Sequence, residues 1–307
     1  MSIDGVSAVM PVYEPNEEWL ETAVRSVVEQ TYDGDMELVI IDDGSPTPVE
    51  QVLPDDLVDN DIVRIIRQEN AGFTAASNTA FQTAEYDLIA PIGDDDIWDE
   101  EKIEKQVERM EETGCDIMFS YSYYIDETGH TYHENTVNPP DTVEEFMIHF
   151  TGPVYESLLV RREVFEANGY LDEEYAVASD AEFFFRVWPY VSKGIVREPL
   201  VAKRWHTNNI GSETDTTVEE ERRLLEQYCS EYSVSEKKRR QVFANLYRRK
   251  GKQFFRDGAT HRARQMWRRA IRYRPSDYRA WGLFLSSFSE TSYNLSRKAY
   301  QQMGRGQ

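Results

Sequence analysis

Only two cysteines occur in the 307 residues, Cys115 and Cys229, and their separation fits no metal or redox spacing, so a disulfide framework is not expected. No apolar run approaches the ~20 residues needed to span a bilayer. The opening Met1-Ser2-Ile3-Asp4-Gly5 lacks the basic start and apolar core of a secretory leader, so the expectation is a cytoplasmic protein. Residues 6–16 also lack the glycine- and arginine-rich loop with which nucleotidyltransferases grip phosphate.

Positive charge is scarce, but only in part of the chain. Residues 1–235 hold 15 Lys or Arg against 52 Asp or Glu, whereas 236–307 hold 19 against four, so a net charge of -22 hides parts near -37 and +15. Such asymmetry marks two functional parts. An acidic surface on this scale keeps a protein soluble in concentrated salt at some cost in self-repulsion, which points to a salt-accumulating, halophilic source. With 40% hydrophobic residues the chain can still bury a sizeable core.

The first ~90 residues alternate strand-like apolar runs with helical periods, the pattern of a βαβ sheet. Strands are expected at Val6–Tyr13, Glu37–Asp42, Ile62–Gln68, Asp87–Ile92 and Asp116–Ile125. Between them, Asn16 caps a helix carrying Trp19, Leu20, Ala23, Val24, Val27 and Val28, and helices follow at Phe73–Ala84 and Glu100–Glu112, the last ended by Gly114. The polar stretch Glu127–Val154 reads as a loop with a short helix, gating an acceptor. Short strands at Ser157–Arg161 and Leu200–His206 flank a helix near Ala181–Val187, and everything after Ser212 reads as helical.

In an open α/β sheet, ligands bind beyond the carboxyl ends of the strands. Asp42-Asp43-Gly44-Ser45 directly follows one strand and Gly93-Asp94-Asp95-Asp96 another, so two strand ends deliver carboxylates to one edge. Hard oxygen donors of this kind suit Mg²⁺ or Mn²⁺ on a diphosphate. Read as bare turns and helix caps, the same aspartates would carry no chemistry.

Taken in order, VSAVMPVY (6–13), ELVIIDDGS (37–45), ENAGFTAASNTA (69–80), GDDDIWDEEKIEKQ (93–106), ASDAEFFFRV (178–187) and RWHTNNIGS (204–212) resemble the motifs of family-2 glycosyltransferases. The resemblance runs over about two thirds of the chain. It implies an α/β fold: a GT-A-like, Rossmann-type mixed sheet flanked by helices over residues 1–212, followed by an α-helical tail over 213–307. It also implies inverting transfer of a sugar from a nucleotide diphosphate donor to an acceptor hydroxyl. On this resemblance Pro11, Tyr13 and Glu14 surround base and ribose, and Asp42 or Asp43 accepts hydrogen bonds from them. Asn70, Gly72 and Asn78 belong to the next nucleotide-binding segment, with Asp94 and Asp95 completing it. The metal ligands implied are Asp95, Asp96 and His206, for Mg²⁺ or Mn²⁺ acting as Lewis acid on the leaving diphosphate. Asp180 is the implied catalytic base, worth ~10²–10⁴-fold. Three positions depart from the family pattern: Ser77 replaces a frequent Arg, Gly93 a frequent Asp, and Ser179 a frequent Glu. Arg204 is a candidate for phosphate or for an ion pair, and Trp98 for the acceptor site or for packing.

In the tail, Gly251, Phe254, Gly258, Ala263, Ala270 and Pro275 fall where a tetratricopeptide-like hairpin places its glycines, packing residues and closing proline, with the turn at Asp257-Gly258. A lone hairpin cannot cover its own face, so packing on the first domain or on a partner is expected. Basic and aromatic residues in 236–307 suit peripheral contact with an anionic membrane face, and so a lipid-linked or glycan acceptor. Near molar salt the Debye length falls to ~3 Å, which leaves the aromatic stripe to act. Nucleic acid is not expected, since the acidic part repels a polyanion. A glycosidase would also use paired carboxylates, but would not need the strand-end clusters. The competing reading is a scaffold that binds nucleotide sugars while its tail recruits partners.

Overall fold

The computed structural model describes residues 3–150, 152–206 and 215–288, which divide into two compact units. The first comprises residues 3–139 and 152–206; the second, 140–150 and 215–288. Residues 207–212 of the sixth motif, the boundary at 212 and the segment 289–307 lie outside the described residues.

The first unit begins β1 (Val6–Val12), α1 (Glu17–Val28), β2 (Met36–Asp42), the single turns α2 (Val49–Val52) and α3 (Asp55–Val58), β3 (Val63–Arg67), α4 (Phe73–Thr83) and β4 (Leu88–Pro91). Then come β5 (Ile97–Trp98), α5 (Lys102–Thr113), β6 (Ile117–Ile125) and β7 (Thr131–Asn135). After α6 (Val143–His149), which belongs to the second unit, the chain returns through a 3₁₀ turn at Tyr155–Ser157 to β8 (Leu159–Arg161), α7 (Arg162–Asn168), α8 (Ser179–Val187) and β9 (Lys193–Arg204).

The strands form one mixed sheet in the order β3-β2-β1-β4-β8-β6-β9-β5, with β7 on β6. The run from β3 to β4 is parallel. Parallel strands are covered on both faces, which is why β1, β2 and β4 are nearly unbroken apolar runs. Asn16 caps α1 as expected, its Oδ1 accepting the Trp19 N–H at 3.2 Å, and Leu20, Ala23, Val24 and Val27 are buried on the core side.

Past β4 the directions change, and two chain segments reach the carboxyl edge in consequence. β8 runs antiparallel to β4, with Leu88 opposite Arg161, so the turn Tyr155–Ser157 ahead of β8 lies beside the carboxyl end of β4. β9 runs antiparallel to β5, with Ile97 opposite Ala202, so its exit meets the loop that leaves β4.

Several elements differ from the sequence expectation. The polar stretch contains β7, an edge strand paired to β6, with the Tyr124 and His133 rings stacked at 5.7 Å. An edge strand with no buried face has no apolar alternation to betray it. β9 begins at Lys193 rather than Leu200; the register against β6 shifts at Ser120–Ser122, and that bulge masks its first half. Trp98 packs in the core, and Cys115 and Cys229 are buried and unpaired.

In the second unit, α6 is joined by α9 (Asp215–Glu231), α10 (Glu236–Arg256), α11 (Thr260–Tyr273) and α12 (Tyr278–Ser286). α10 and α11 form the expected hairpin about Asp257-Gly258, with Tyr273 stacked on Phe243 (5.2 Å) and Tyr247 (5.7 Å). Gly251 is required by close approach: a Cβ there would stand 2.3 Å from Trp267 Nε1. Part of the hairpin is covered from within its own unit. Asn245 donates to the Ile148 carbonyl (2.8 Å), and Glu221 of α9 pairs with Arg249 and with the buried Lys250, both at 2.6 Å. Among the described residues no helix is long and apolar enough to cross a membrane.

Candidate active site

β1, β2 and β4 end on one edge, and β1 lies between the other two where the strand order reverses, which opens a crevice there. The β2 turn is closed onto β1 by Asp43 N–H to the Val12 carbonyl (2.8 Å) and Glu14 N–H to Ser45 Oγ (3.2 Å). Glu14 sits at φ +48, a conformation that non-glycine residues adopt rarely and that clusters at functional turns. Tyr13 and Glu14 are exposed at the rim, as are Asn70 and Gly72.

The two aspartates of the turn have different duties. Asp42 is fully buried: Oδ1 accepts the Ser45 N–H (2.8 Å), and Oδ2 accepts the Val49 N–H (3.2 Å) and the Arg67 guanidinium. Burial alone would raise its carboxyl pKa, but these donors and the Arg67 charge hold it below the ordinary value. Asp43 receives Gln68 Nε2 (2.7 Å), Ala71 N–H (2.9 Å) and Gly72 N–H (2.8 Å), tying the Asn70–Gly72 segment to the end of β2. Asn78 is engaged elsewhere. Its amide oxygen accepts the Leu171 N–H (2.9 Å), and its nitrogen donates to the Leu171 carbonyl (2.9 Å) and to Glu173 (3.0 Å).

At the end of β4 the acidic cluster is split. Asp95 Oδ2 and His206 Nε2 are 2.8 Å apart, and the imidazole lies against the Trp19 ring at 4.9 Å. Asp96 turns inward, only 1% exposed, its Oδ1 accepting the Arg204 N–H at 2.8 Å. Burial holds its carboxyl well above the usual range, Lys203 opposes this, and Glu156 and Asp95 add to it. Asp94 is pushed up to about 7 by burial, with the Asp95 charge adding. The Arg204 guanidinium donates to the carbonyls of Asp95 (3.0 Å) and Asp126 (3.0 Å), and so fixes the loop that carries the cluster.

Asp180 stands in the first turn of α8 rather than at its cap, which is Ala178. The loop before it is anchored to α4 by Thr74 Oγ1, which donates to the Tyr175 carbonyl (2.9 Å) and lies within hydrogen-bond distance of Ser179 Oγ (3.1 Å). Arg186 adds a bidentate pair with the buried Glu182 and bonds to the carbonyls of Asn168, Gly169 and Tyr170. Tyr155 packs on α8, its ring centroid 6.1 Å from that of Phe184. Burial, then the nearby Asp180 and Glu156 charges, raise its phenol well above the usual value, and its ring lines a cavity of about 30 Å³ together with Pro11 and Gly93.

The sequence model described as glycosyl transferase family 2 matches residues 7–169, which carry β1 to α7 and both acidic turns. The chain belongs to this family. Its relatives include an uncharacterised glycosyltransferase of Methanocaldococcus jannaschii, 28% identical over 187 residues, covering 59% of this chain and 63% of the relative. Glycosyltransferase GlyG of Streptococcus pneumoniae is 28% identical over 144 residues, 47% of each chain. The chain thus spans only about half to five-eighths of these relatives' lengths. Among solved structures, TarS 1–349 of S. aureus in complex with UDP-GlcNAc superposes with a TM-score of 0.64 at 16% identity, covering 97% of this chain and 91% of that one. The fold is therefore GT-A-like: a mixed sheet flanked by helices, followed by a helical region.

Against that family pattern, the Gly93 departure has a steric cause. A Cβ there would meet Asp96 Oδ2 at 2.8 Å and Asp95 Oδ1 at 2.9 Å, so glycine is what lets both carboxylates fold back over the loop. Tyr155, Glu156 and Lys203 carry no family motif and were not singled out from sequence. Lys203 pairs with Glu156 under the acidic loop. The only hint was strand direction, since charged residues on short strands that end at the carboxyl edge must face the crevice or be paired.

A divalent cation, implied by the family, can be tested against the donors present. Among the described residues no three His, Cys, Asp or Glu side chains converge on a metal position. Asp95 and His206 offer one carboxylate and one imidazole 2.8 Å apart, with the charge-crowded Asp94 adjacent. Mg²⁺ and similar ions are commonly held by one or two protein donors plus substrate phosphates, so this set fits a cation that arrives with a diphosphate.

Proposed function

We propose that the protein transfers a sugar from a nucleotide diphosphate donor to an acceptor hydroxyl, with inversion at the anomeric carbon. The observation that supports this reading is the shared edge: the Asp43-centred turn follows β2, the loop with the Asp95–His206 pair follows β4, and Tyr155, which packs on Phe184 of the Asp180 helix, lines the cavity between Pro11 and Gly93. Tyr13, Glu14, Asn70 and Gly72 would hold the nucleoside on the rim, kept in place by Asp43. Asp42 acts beneath them by fixing the turn. Asp95 and His206, together with the phosphates of the donor, would hold Mg²⁺ or Mn²⁺, which would supply charge neutralisation for the leaving diphosphate. Asp96 supports this loop from below through Arg204. Asp180 accepts the proton of the acceptor hydroxyl as its oxygen attacks from the face opposite the diphosphate. The UDP-GlcNAc complex of TarS supports a UDP-sugar as the first donor to try.

The second unit supports a reading of the acceptor class. Tyr278, Trp281 and Leu285 of α12 and Phe288 just beyond it recur at intervals of three or four and all are exposed, with Arg279, Arg264 and Arg268 against aromatic rings of that segment. An apolar stripe rimmed by arginines suits an anionic lipid surface, which supports peripheral attachment to the cytoplasmic face and a lipid-linked or glycan acceptor. The acidic surface of the rest supports work in concentrated salt.

The test is nucleotide release from UDP-, GDP- and dTDP-sugars in molar KCl with Mn²⁺ or Mg²⁺ and a membrane lipid extract. Asp180→Asn should lower turnover by roughly 10²–10⁴-fold while leaving donor affinity unchanged. A wild type that binds donor but turns over with no acceptor would favour the scaffold reading.

A further inference from the structure

The cavity of about 30 Å³ is lined by Pro11 and Gly93 at the strand ends, Phe73 and Ser77 of α4, and Tyr155 and Glu156 ahead of β8. Two buried polar atoms of this lining have no hydrogen-bond partner among the described residues: Tyr155 Oη and Glu156 Oε2. The other Glu156 oxygen is occupied by Lys203 Nζ. Buried polar atoms are nearly always paired, so two unpaired neighbours in one cavity lining call for a partner the chain does not supply, a ligand group or a water.

The chemistry of that partner follows from the atoms. A carboxylate oxygen is acceptor only, so whatever meets Glu156 Oε2 must bring an O–H or N–H. The Tyr155 phenol can donate in return. A donor beside an acceptor suits a group that does both, which an alcohol does and a carboxylate or phosphate does not. The volume is about that of two waters, since each needs roughly 10–15 Å³. It therefore admits a hydroxyl or hydroxymethyl substituent but not a sugar ring. An anionic substituent has only acceptor oxygens and so brings no donor for Glu156 Oε2.

We propose that Tyr155 and Glu156 select the donor sugar by receiving one of its uncharged, hydroxyl-bearing substituents, Tyr155 donating and Glu156 Oε2 accepting. This rests on the transferase reading above and adds to it a class of donor: neutral hexoses over uronic acids. Tyr155 also packs against Phe184 (ring centroids 6.1 Å apart) of α8, the helix that carries the group proposed to take the acceptor proton.

Calorimetry with the full chain separates the contact from the rest of the site. The ligands are UDP, a neutral UDP-hexose and the matching UDP-uronic acid, or the GDP or dTDP series if that nucleotide binds. Tyr155→Phe should weaken the neutral sugar nucleotide by roughly 5- to 150-fold, about 1–3 kcal/mol, and leave the bare diphosphate unchanged. Glu156→Gln should narrow the preference for the neutral sugar over the uronic acid. Equal weakening of diphosphate and sugar nucleotide in both variants would show a merely structural role and overturn the proposal. An unchanged sugar affinity in Tyr155→Phe would also overturn it, leaving water as the occupant. A wild type that binds no diphosphate at all would remove the transferase reading along with it, an outcome distinct from either variant result.

Discussion

Replacing Asp42 by Asn tests whether the β2 turn is held as the structure indicates. A carboxylate can accept from all three donors, whereas an amide has one acceptor and one donor end. With its oxygen toward Val49 and Arg67, the amide keeps those two bonds but sets N–H against N–H at Ser45; turned over, it loses two bonds. The better orientation costs about 1–3 kcal/mol for the buried clash. The lost charge adds no more than ~1 kcal/mol, because the Arg67 side chain is 40% exposed and its pair is screened. The expected deficit at neutral pH is therefore about 1–4 kcal/mol, or a Tm lower by roughly 2–16 °C for a unit of this size. The sign of the pH dependence follows from the depressed carboxyl. Its stabilisation is present above the unfolded value near ~3.9 and is lost as pH falls through the lower folded value. The Asn deficit should thus be full at neutral pH and shrink below about pH 4. Thermal unfolding followed by circular dichroism across that range is the assay. A variant that melts with the wild type at neutral pH, or whose deficit grows on acidification, would refute the reasoning.

Gly251→Ala sets helix propensity, a gain of about 1 kcal/mol, against overpacking on Trp267, a cost of about 1–3 kcal/mol. With the contact at 2.3 Å and the indole 1% exposed, packing should win, so Tm falls; adding Trp267→Leu should recover part of the loss in the double variant relative to Trp267→Leu alone. Trp281→Ser with Leu285→Ser should abolish flotation with anionic vesicles in molar KCl while leaving nucleotide affinity unchanged; retained flotation would exclude α12 as the contact.

How much could be read without the structure depended on whether the signal was local. The strands β1, β2 and β4, the Asn16 cap and the hairpin about Asp257-Gly258 are each specified by contiguous residues, because buried parallel strands need unbroken apolar runs and helices need a 3.6-residue period. The acidic turns were legible for the same reason, since they sit directly at strand ends. What lay hidden was β7, whose polar residues have no face to bury, and the first half of β9, broken by its bulge.

The duties within the motifs were a tertiary matter. Sequence alone established the family pattern, the order of the acidic turns and the contrast between an acidic and a basic part. It could not tell that Asp42 and Asp96 turn inward while Asp95 meets His206, because each outcome involves a partner far along the chain, 25 to 111 residues away. Nor could it bring Tyr155 and Glu156 to the crevice. That followed from β8 running antiparallel to β4, a choice of strand direction set by packing of the whole sheet and written in no single segment.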